Sequence, residues 1–332
     1  MRIHVFEFIG GGGLAEAPLP GQLAREGDLM LCAVVDDLLE LPGVEVSFAR
    51  DARLPLPAQE RLRAARVCWR EPGVAAARAL AHEIAASDAV WPIAPETGGE
   101  LERSARAVLA ADRLLLGPHP DAIGLATSKS ATARRLAQAG IDVVPCFAPG
   151  TQWPRIDGPW IVKPDDGAGC VQARTVAGRD EAAAALGATA GGMIAQPWIA
   201  GDARSLCVLV AQGKTDVASV NRQHLQLDRG IVGLAAIDVN CEAVTAPLQA
   251  LAERVATAIP GLNGYFGIDY IQAAAGPIVV EVNPRVTSSY AGLRAALELN
   301  AAEWVLAAAT GGPAPSKKAH RGQAVRLNLD AP

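Results

Sequence analysis

The amino-acid sequence predicts an α/β fold divided into two or three lobes. At 332 residues, half of them hydrophobic, the chain can bury a substantial core and is too long for one compact layered unit. As far as Gly117, predicted strands alternate with predicted helices, which is typical of a parallel sheet with helices on its faces. Beyond that point, strands that lie close together in the sequence indicate α+β structure.

The first predicted lobe starts with a buried strand at residues 3–9, which runs into four consecutive glycines at 10–13. Its remaining elements are strands at 44–48, 89–93 and 114–117 and helices at 75–87 and 100–111. A dinucleotide-binding fingerprint needs spaced glycines that open a helix, and four adjacent glycines do not fit it. The glycines therefore predict a mobile loop, which is either a loop on the substrate side or a flexible turn.

The second and third predicted lobes mix short strands with helices. Thr127 or Ser128 can cap a helix that ends at Gly140. Short strands follow at 160–163 and 193–197. The third region has predicted strands at 205–211, 216–221, 264–272, 277–284 and 323–328, and helices at 246–258 and 291–309.

Composition argues against several classes of protein. The net charge is −5, whereas a surface that binds duplex nucleic acid is usually basic, so nucleic acid is not an expected partner. The six cysteines are scattered, which suits a reducing cytosol better than a disulfide framework. We see neither a signal peptide nor an apolar run long enough to span a membrane. A cytoplasmic protein without a membrane partner is expected.

Two strands near the C-terminus predict a metal site. Glu281 and Asn283 are two residues apart and share one face of a strand. If the hairpin turn centres on Ala275, Asp269 lies opposite Glu281. Facing carboxylates repel unless a cation lies between them, and a few oxygen ligands suit Mg²⁺. The alternative is a solvated strand surface, or a salt bridge from Glu281 to Arg285.

Two lysines predict a site for anions. Lys163 ends an apolar strand, where an ammonium group is costly without a counter-ion, and the loop after it contains Gly167 and Gly169. Glycines allow close approach of the backbone, so this loop can cover a phosphate. Lys129 starts a helix, where the N-terminal dipole also favours anions. The alternatives are a structural glycine loop and a solvated helix lysine.

Taken in order, these motifs resemble those of the ATP-grasp superfamily. The resemblance implies an ATP-grasp fold in three lobes: a Rossmann-like N-terminal domain at 1–118, a small α+β lid at 119–198 and a C-terminal catalytic subdomain with an antiparallel sheet at 199–332. It implies that ATP and Mg²⁺ are cofactors, with Mn²⁺ as a substitute, and it is compatible with a homodimer. The ATP-binding residues it implies are Lys129, Lys163, Gly167, Gly169, Gln196, Pro197, Trp198 and Ile199, with Asp202 as the candidate ribose contact because many members carry Glu where this chain has Gln196.

The superfamily resemblance also implies a two-step reaction. A carboxylate attacks the γ-phosphate of ATP to give an acyl phosphate, and an amine then displaces the phosphate. The metal ligands would be Asp269, Glu281 and Asn283. Lys129 and Lys163 would hold the α- and β-phosphates, and Arg285 would stabilise the transferring phosphoryl group or the acyl phosphate, so that Lys163 and Arg285 are the candidate catalytic residues. The alternative for Arg285 is an ion pair with Glu281 or Asp269.

Shorter motifs are similar to those of one subfamily, the tyramine–glutamate ligases of methanofuran and methylofuran biosynthesis. They are Phe-Glu-Phe at 6–8, Ala-Pro-Glu-Thr at 94–97, Asn-Arg-Gln at 221–223 and the segment 283–290. This resemblance implies glutamate as the acid and tyramine or tyrosine as the amine. The candidate substrate-binding residues are Glu7, Glu96, Arg204, Asn221, Arg222, Ser288 and Ser289. Glu96 can instead cap a helix, and Arg204 can be a rim charge.

Two rival functions remain from the sequence. The first is a different ATP-grasp ligase, which forms a peptide or acts in the purine pathway. The second is a nucleotide-binding module without catalytic activity. Loss of catalysis usually erodes the metal ligands, and here Asp269, Glu281 and Asn283 are all present.

Overall fold

Two β-sheets organise the protein, seen in a computed structural model that describes residues 1–71, 76–167, 172–188, 192–315 and 322–329. One sheet has five strands, all parallel, and the other has nine strands. This combination of a parallel sheet and a largely antiparallel sheet confirms the predicted α/β class. No helix within the described ranges is both long enough and apolar enough to cross a membrane.

The N-terminal lobe contains the parallel sheet, in the order β3-β2-β1-β4-β5. Its strands are β1 (Arg2–Glu7), β2 (Glu45–Asp51), β3 (Arg66–Arg70), β4 (Ala89–Ile93) and β5 (Leu114–Leu115). Its helices are α1 (Gly21–Leu39), α2 (Ala76–Ala86) and α3 (Glu100–Ala110), with short 3₁₀ turns at Glu60–Ala64 and Thr97–Gly99. Because the strands are parallel, their carboxyl ends all lie at the same edge of the sheet, and Glu7 and Glu96 lie at that edge.

The four glycines after β1 form a packed turn, and the expectation of a mobile loop is wrong. Gly10 and Gly11 are buried, and the amide of Gly11 donates a hydrogen bond to the carbonyl of Glu7. A Cβ at Gly11 would lie 2.2 Å from that carbonyl oxygen, and one at Gly13 would lie 2.5 Å from the ring of Phe8. The glycines are needed for close packing beside Glu7.

The middle region has two parts. Helices α4 (Pro120–Thr127) and α5 (Lys129–Gln138) pack in one core with residues of the C-terminal region, such as Leu251 and Phe266. The second part is a small unit with its own core around Trp160 and Leu186. Its elements are β6 (Trp160–Pro164), β7 (Arg174–Val176), α6 (Arg179–Gly187) and β8 (Met193–Pro197).

The C-terminal region supplies most of the nine-stranded sheet, in the order β13-β12-β9-β10-β11-β7-β6-β8, with β14 paired to β11. Its strands are β9 (Asp202–Ala211), β10 (Lys214–Asp228), β11 (Ile231–Glu242), β12 (Gly264–Ala273), β13 (Gly276–Asn283) and β14 (Val325–Asn328). Its helices are α7 (Ala246–Ala258), α8 (Tyr290–Leu297) and α9 (Ala301–Thr310). Strand β7 pairs with β11 at Arg174 and Ile231, so the small unit joins this sheet at a narrow point.

The predicted single helix at 291–309 is wrong, because the chain forms two helices there. Glu298 ends α8 in the left-handed region, with φ 52°. Asn300 then caps α9 by accepting a hydrogen bond from the amide of Ala302, and its side-chain amide donates to the carbonyl of Asp37. A strong N-cap residue in the middle of the apolar pattern was the signal for the break.

The N-terminal lobe and the C-terminal region share one hydrophobic core. Leu31 and Leu38 of α1 are fully buried in the same cluster as Leu293 and Trp304. The buried carboxylate of Asp37 accepts hydrogen bonds from the hydroxyl of Tyr290 (2.7 Å) and from the guanidinium of Arg294. This common core holds the sheet edge of the N-terminal lobe against the nine-stranded sheet.

Candidate active site

A cavity of about 260 Å³ lies where the lobes meet. It has two ends that differ in chemistry. The first, which we call the lysine end, is formed by Lys129, Lys163, Asp269, Glu281 and Asn283. The second, which we call the α1 end, is formed by Glu7, Ile9, Leu23, Glu26, Met30, Ile93, Ala94, Pro95, Arg285, Thr287, Ser288 and Ser289.

The hairpin of β12 and β13 builds one wall of the lysine end. The predicted register is confirmed, since Asp269 pairs directly with Glu281 across the antiparallel ladder. The side-chain amide of Asn283 donates a hydrogen bond to Asp269 Oδ2 (3.1 Å), and that of Gln223 donates to Oδ1 (3.2 Å). Two carboxylates and one amide oxygen are thereby brought to one face of the hairpin.

The two predicted lysines converge on the same carboxylate. Lys129, at the start of α5, and Lys163, near the end of β6, each place Nζ 3.5 Å from Glu281 Oε2. Lys129 also donates a hydrogen bond to the carbonyl of Gly167 (2.5 Å). Both lysines are largely buried, so Glu281 is the counter-ion that the sequence required for Lys163. Lys129 is therefore not a solvated helix lysine, which was the alternative interpretation of this residue.

The charges at the lysine end shift each other's protonation. Burial by itself raises the pKa of Glu281, but Lys129 and Lys163 outweigh it and hold that pKa below its usual range. Burial raises the pKa of Asp269, and the negative charge of Glu281 raises it further. Within the described part of the chain, Asp269 forms no salt bridge, and a divalent cation at this face would pair with it.

Two aspartates at the start of the loop after Lys163 form hydrogen bonds with other parts of the protein. The Asp165 carboxylate caps α5 by accepting hydrogen bonds from the amide of Ser130 (2.7 Å) and the hydroxyl of Ser128 (2.6 Å). The Asp166 carboxylate accepts one from the amide of Gly98 in the N-terminal lobe (3.0 Å). Gly167 lies at the cavity, and Gly169 falls outside the described residues.

The segment predicted to hold adenine lines the cavity wall. Pro197, Trp198 and Ile199 lie on it beside other apolar residues, such as Val144 and Ile161 of β6. The side-chain amide of Gln196 is used within the protein, because it donates hydrogen bonds to the carbonyl of Val144 (3.3 Å) and to Cys146 Sγ (3.1 Å). Gln196 therefore shapes this wall.

The α1 end contains an ion pair that joins two lobes. Arg285 Nε donates to Glu96 Oε1 (2.9 Å), so Arg285 pairs with Glu96 and not with Glu281 or Asp269. The side chain of Glu96 makes no helix cap, and its buried Oε2 has no hydrogen-bond partner among the described residues. Nearby, Glu7 accepts hydrogen bonds from the amides of Ile9 and Gly10, and burial raises its pKa to about 7. Ser288 and Ser289 complete the rim.

Four predicted residues are placed elsewhere. Asp202 pairs with Arg204 (3.1 Å) and Arg222 (3.3 Å), and none of the three lines the cavity. Asn221 is fully buried and hydrogen-bonds Ser205 and the hydroxyl of Ser219. The ribose and substrate roles expected for these four residues have no support in this geometry, because the charged residues pair with one another away from the cavity and Asn221 bonds core neighbours.

Three polar residues of the cavity were not among the candidate site residues predicted from the sequence: Gln223, Glu26 and Thr287. Glu26 carried a usable signal. It lies three residues after Leu23 and four before Met30, and this spacing places a carboxylate on the apolar face of α1. Gln223 follows Arg222, and alternation along a strand puts it on the opposite face.

Comparison with known proteins agrees with this arrangement. The ATP-grasp domain family matches residues 126–289, and the pre-ATP-grasp domain family matches residues 44–123. The chain therefore belongs to the ATP-grasp superfamily, as its motifs predicted.

Individual relatives show how far the similarity extends. The chain is 33% identical over 99 residues to the tyramine–L-glutamate ligase of Methanocaldococcus jannaschii, a match that spans 30% of this chain and 31% of that protein. The fold of an ATP-grasp superfamily protein from Archaeoglobus fulgidus is similar, with a TM-score of 0.70, 21% identity and coverage of 99% of this chain and 100% of that one. The L-amino acid ligase from Bacillus licheniformis gives a TM-score of 0.63 at 17% identity, with 92% and 73% covered.

Proposed function

We propose that the protein is an ATP-dependent carboxylate–amine ligase that forms an amide through an acyl phosphate. The single observation that best supports this is the lysine end, where two lysines converge on a carboxylate that faces a second one across a hairpin. Such an arrangement suits a polyanion together with a divalent cation, because the polyanion would pair with the lysines and the cation would pair with the two carboxylates. Catalysis is then mainly a matter of positioning and charge neutralisation.

The donor set fits Mg²⁺. Asp269, Glu281 and the amide oxygen of Asn283 offer hard oxygen ligands on one face, and few protein ligands are typical of Mg²⁺ bound with a nucleotide. When bound, the ion would neutralise charge on the phosphates. Mn²⁺ has the same ligand preference and is expected to substitute.

The protein's own groups would act as follows. Lys129 and Lys163 would leave Glu281 and bind phosphate oxygens, while Glu281 turns to the cation. The backbone of the segment Pro197 to Ile199 would hold adenine against the apolar wall. Arg285, fixed by Glu96, would hold the transferring phosphoryl group at the boundary between the two ends of the cavity.

The acid and the amine are proposed from similarity together with the cavity. The M. jannaschii relative is named for tyramine and L-glutamate, and this supports L-glutamate as the acid and tyramine or tyrosine as the amine. Ser288 and Ser289 remain on the cavity rim as polar contacts for the acid. A role in the biosynthesis of a methylofuran-type cofactor, in the cytoplasm, follows as part of the same proposal.

The test is ADP release coupled to mass spectrometry of the products, in mixtures of Mg-ATP, L-glutamate and either tyramine or tyrosine. We expect ADP together with a glutamyl amide. ADP with glutamate alone would support the acyl phosphate and direct the search to other amines. Absence of ADP in every mixture, while ATP still binds, would contradict the proposed pair of substrates.

A further inference from the structure

Glu26 is a carboxylate at the cavity whose hydrogen bonds are incomplete. Its Oε1 accepts from the side-chain amide of Gln22 at 3.4 Å, and its Oε2 accepts from the hydroxyl of Ser288 at 3.5 Å. Both distances lie at the upper limit for a hydrogen bond, and an ionised carboxylate has about four acceptor positions. Glu26 therefore has capacity for a stronger donor than the described residues supply.

The surrounding charges show the same shortage of donors. Among the described residues that line the α1 end, the cation is Arg285, and it is already paired with Glu96. One buried oxygen of Glu96, Oε2, finds no hydrogen-bond partner in the part of the chain that the structure describes. Glu26 lies near the same guanidinium, so Glu96 and Glu26 share Arg285, and Glu7 adds a third carboxyl group to this end. Buried negative charge that is not compensated is costly, so this end favours a ligand that carries a positive charge.

The walls beside Glu26 indicate the rest of that ligand. Leu23 and Met30 flank Glu26 on α1, and Ile9 and Ile93 extend the apolar surface. A small polar cation would leave this surface in contact with water. An amine with an apolar body covers it and places its charge at Glu26.

We propose that Glu26 binds the ammonium group of the acceptor amine and positions its nitrogen for attack on the acyl phosphate. This rests on the proposed function, and it adds the residue and the class of acceptor: a primary amine with an apolar body. A carboxylate next to the amine would meet the negative charge of the α1 end, so tyramine is favoured over tyrosine.

Glu26 is the first proton acceptor in the proposed chemical step. The ammonium gives one proton to Glu26, and the free amine attacks the carbonyl carbon. The C–N bond forms, the C–O bond to the phosphoryl group breaks, and phosphate leaves. A second proton from nitrogen goes to the phosphate, and Glu26 passes its proton to solvent. Burial raises the pKa of Glu26, which favours this transfer.

The experiment compares the wild type with Glu26→Gln, which keeps the size of the side chain and removes the charge. Tyramine binding is measured by calorimetry without ATP, and acyl-phosphate formation is measured by trapping with hydroxylamine. Hydroxylamine is largely uncharged at neutral pH, so it does not need Glu26. We expect tyramine to bind about 10- to 100-fold more weakly, with hydroxamate formation unchanged. Glu26→Asp should recover part of the affinity, and the exposed Glu45→Gln should behave as the wild type.

The outcomes separate this inference from the proposed function. Tyramine binding that depends on Glu26, in a protein that makes neither ADP nor hydroxamate, would support the amine site at Glu26 and would contradict both the ligase and the role of Glu26 in the attack. Amide formation with equal tyramine affinity in the wild type and Glu26→Gln would leave the ligase standing and overturn the inference. Equal losses with tyramine and with hydroxylamine would also overturn it, since they would indicate general damage.

Discussion

The two ends of the cavity are assembled in different ways. At the lysine end, Asp269 and Asn283 lie 14 residues apart on one hairpin, and local pairing fixes their geometry. At the α1 end, Glu26 meets Ser288 across 262 residues, and Arg285 meets Glu96 across 189. The first end follows from the register of two strands. The second exists only because two lobes share a core.

The ends also differ in their balance of charge. At the lysine end, Lys129 and Lys163 already neutralise Glu281, so a ligand there must exchange partners within the site. At the α1 end, carboxylates outnumber the one guanidinium among the described lining residues, so a ligand with a positive charge is favoured there. We infer from this difference in charge that one end binds a polyanion with its cation, and that the other binds a cationic acceptor.

The variant with the largest expected effect tests whether the two ends of the cavity have separate functions. Glu281→Ala removes one metal ligand and the counter-ion of both lysines. We expect ADP formation to fall by roughly a hundredfold or more, with tyramine binding at the α1 end unchanged. Steady-state assays and calorimetry measure the two quantities, and thermal melting checks that the fold is kept. Near-normal ADP formation in this variant would show that the metal assignment is wrong.

A second prediction concerns the protonation of the α1 end. The pKa of Glu7 is raised in the folded protein from 4.5 to about 7, so the folded state binds this proton more tightly than the unfolded state. Stability must then fall as pH rises from 4.5 to 7, by about 3 kcal/mol from this group. Glu7→Gln removes that loss. Denaturant unfolding across this range should show the variant gaining on the wild type, and parallel curves would contradict the shift.

A smaller effect tests the packed glycine turn that supports Glu7. Gly11→Ala puts a methyl group 2.2 Å from the carbonyl oxygen of Glu7, and we expect a loss of about 2–3 kcal/mol in the free energy of unfolding. The matched control is Gly187→Ala in α6, where no atom lies within 4 Å of the new Cβ, and there we expect a gain of about 0.5–1 kcal/mol. Equal changes at both positions would restore the mobile-loop interpretation of residues 10–13.

The lysine end could be predicted from the sequence because its signals are local. A two-residue spacing placed Glu281 and Asn283 on one face, and a short turn placed Asp269 opposite. Lys163 was identified by its position in an apolar strand, which required an anion nearby. The cap of α5 at Ser128 was equally local, and its side chain accepts a hydrogen bond from the amide of Ala131.

The α1 end could not be predicted to the same degree. Which charges meet there depends on how α1 packs against α8 and α9, and one sequence does not fix that packing. Arg204 and Arg222 looked suitable for a carboxylate, yet both pair with Asp202. The length of β10 and its bulges also escaped prediction, and these features bring Gln223 to Asp269.

The most direct test of this account is a crystal structure with Mg²⁺, a non-hydrolysable ATP analogue and tyramine. We expect the metal between Asp269 and Glu281, both lysines moved from Glu281 to the phosphates, and the ammonium of tyramine within hydrogen-bond distance of Glu26. A metal bound away from the hairpin, or tyramine bound outside the α1 end, would contradict the division of the cavity into these two ends.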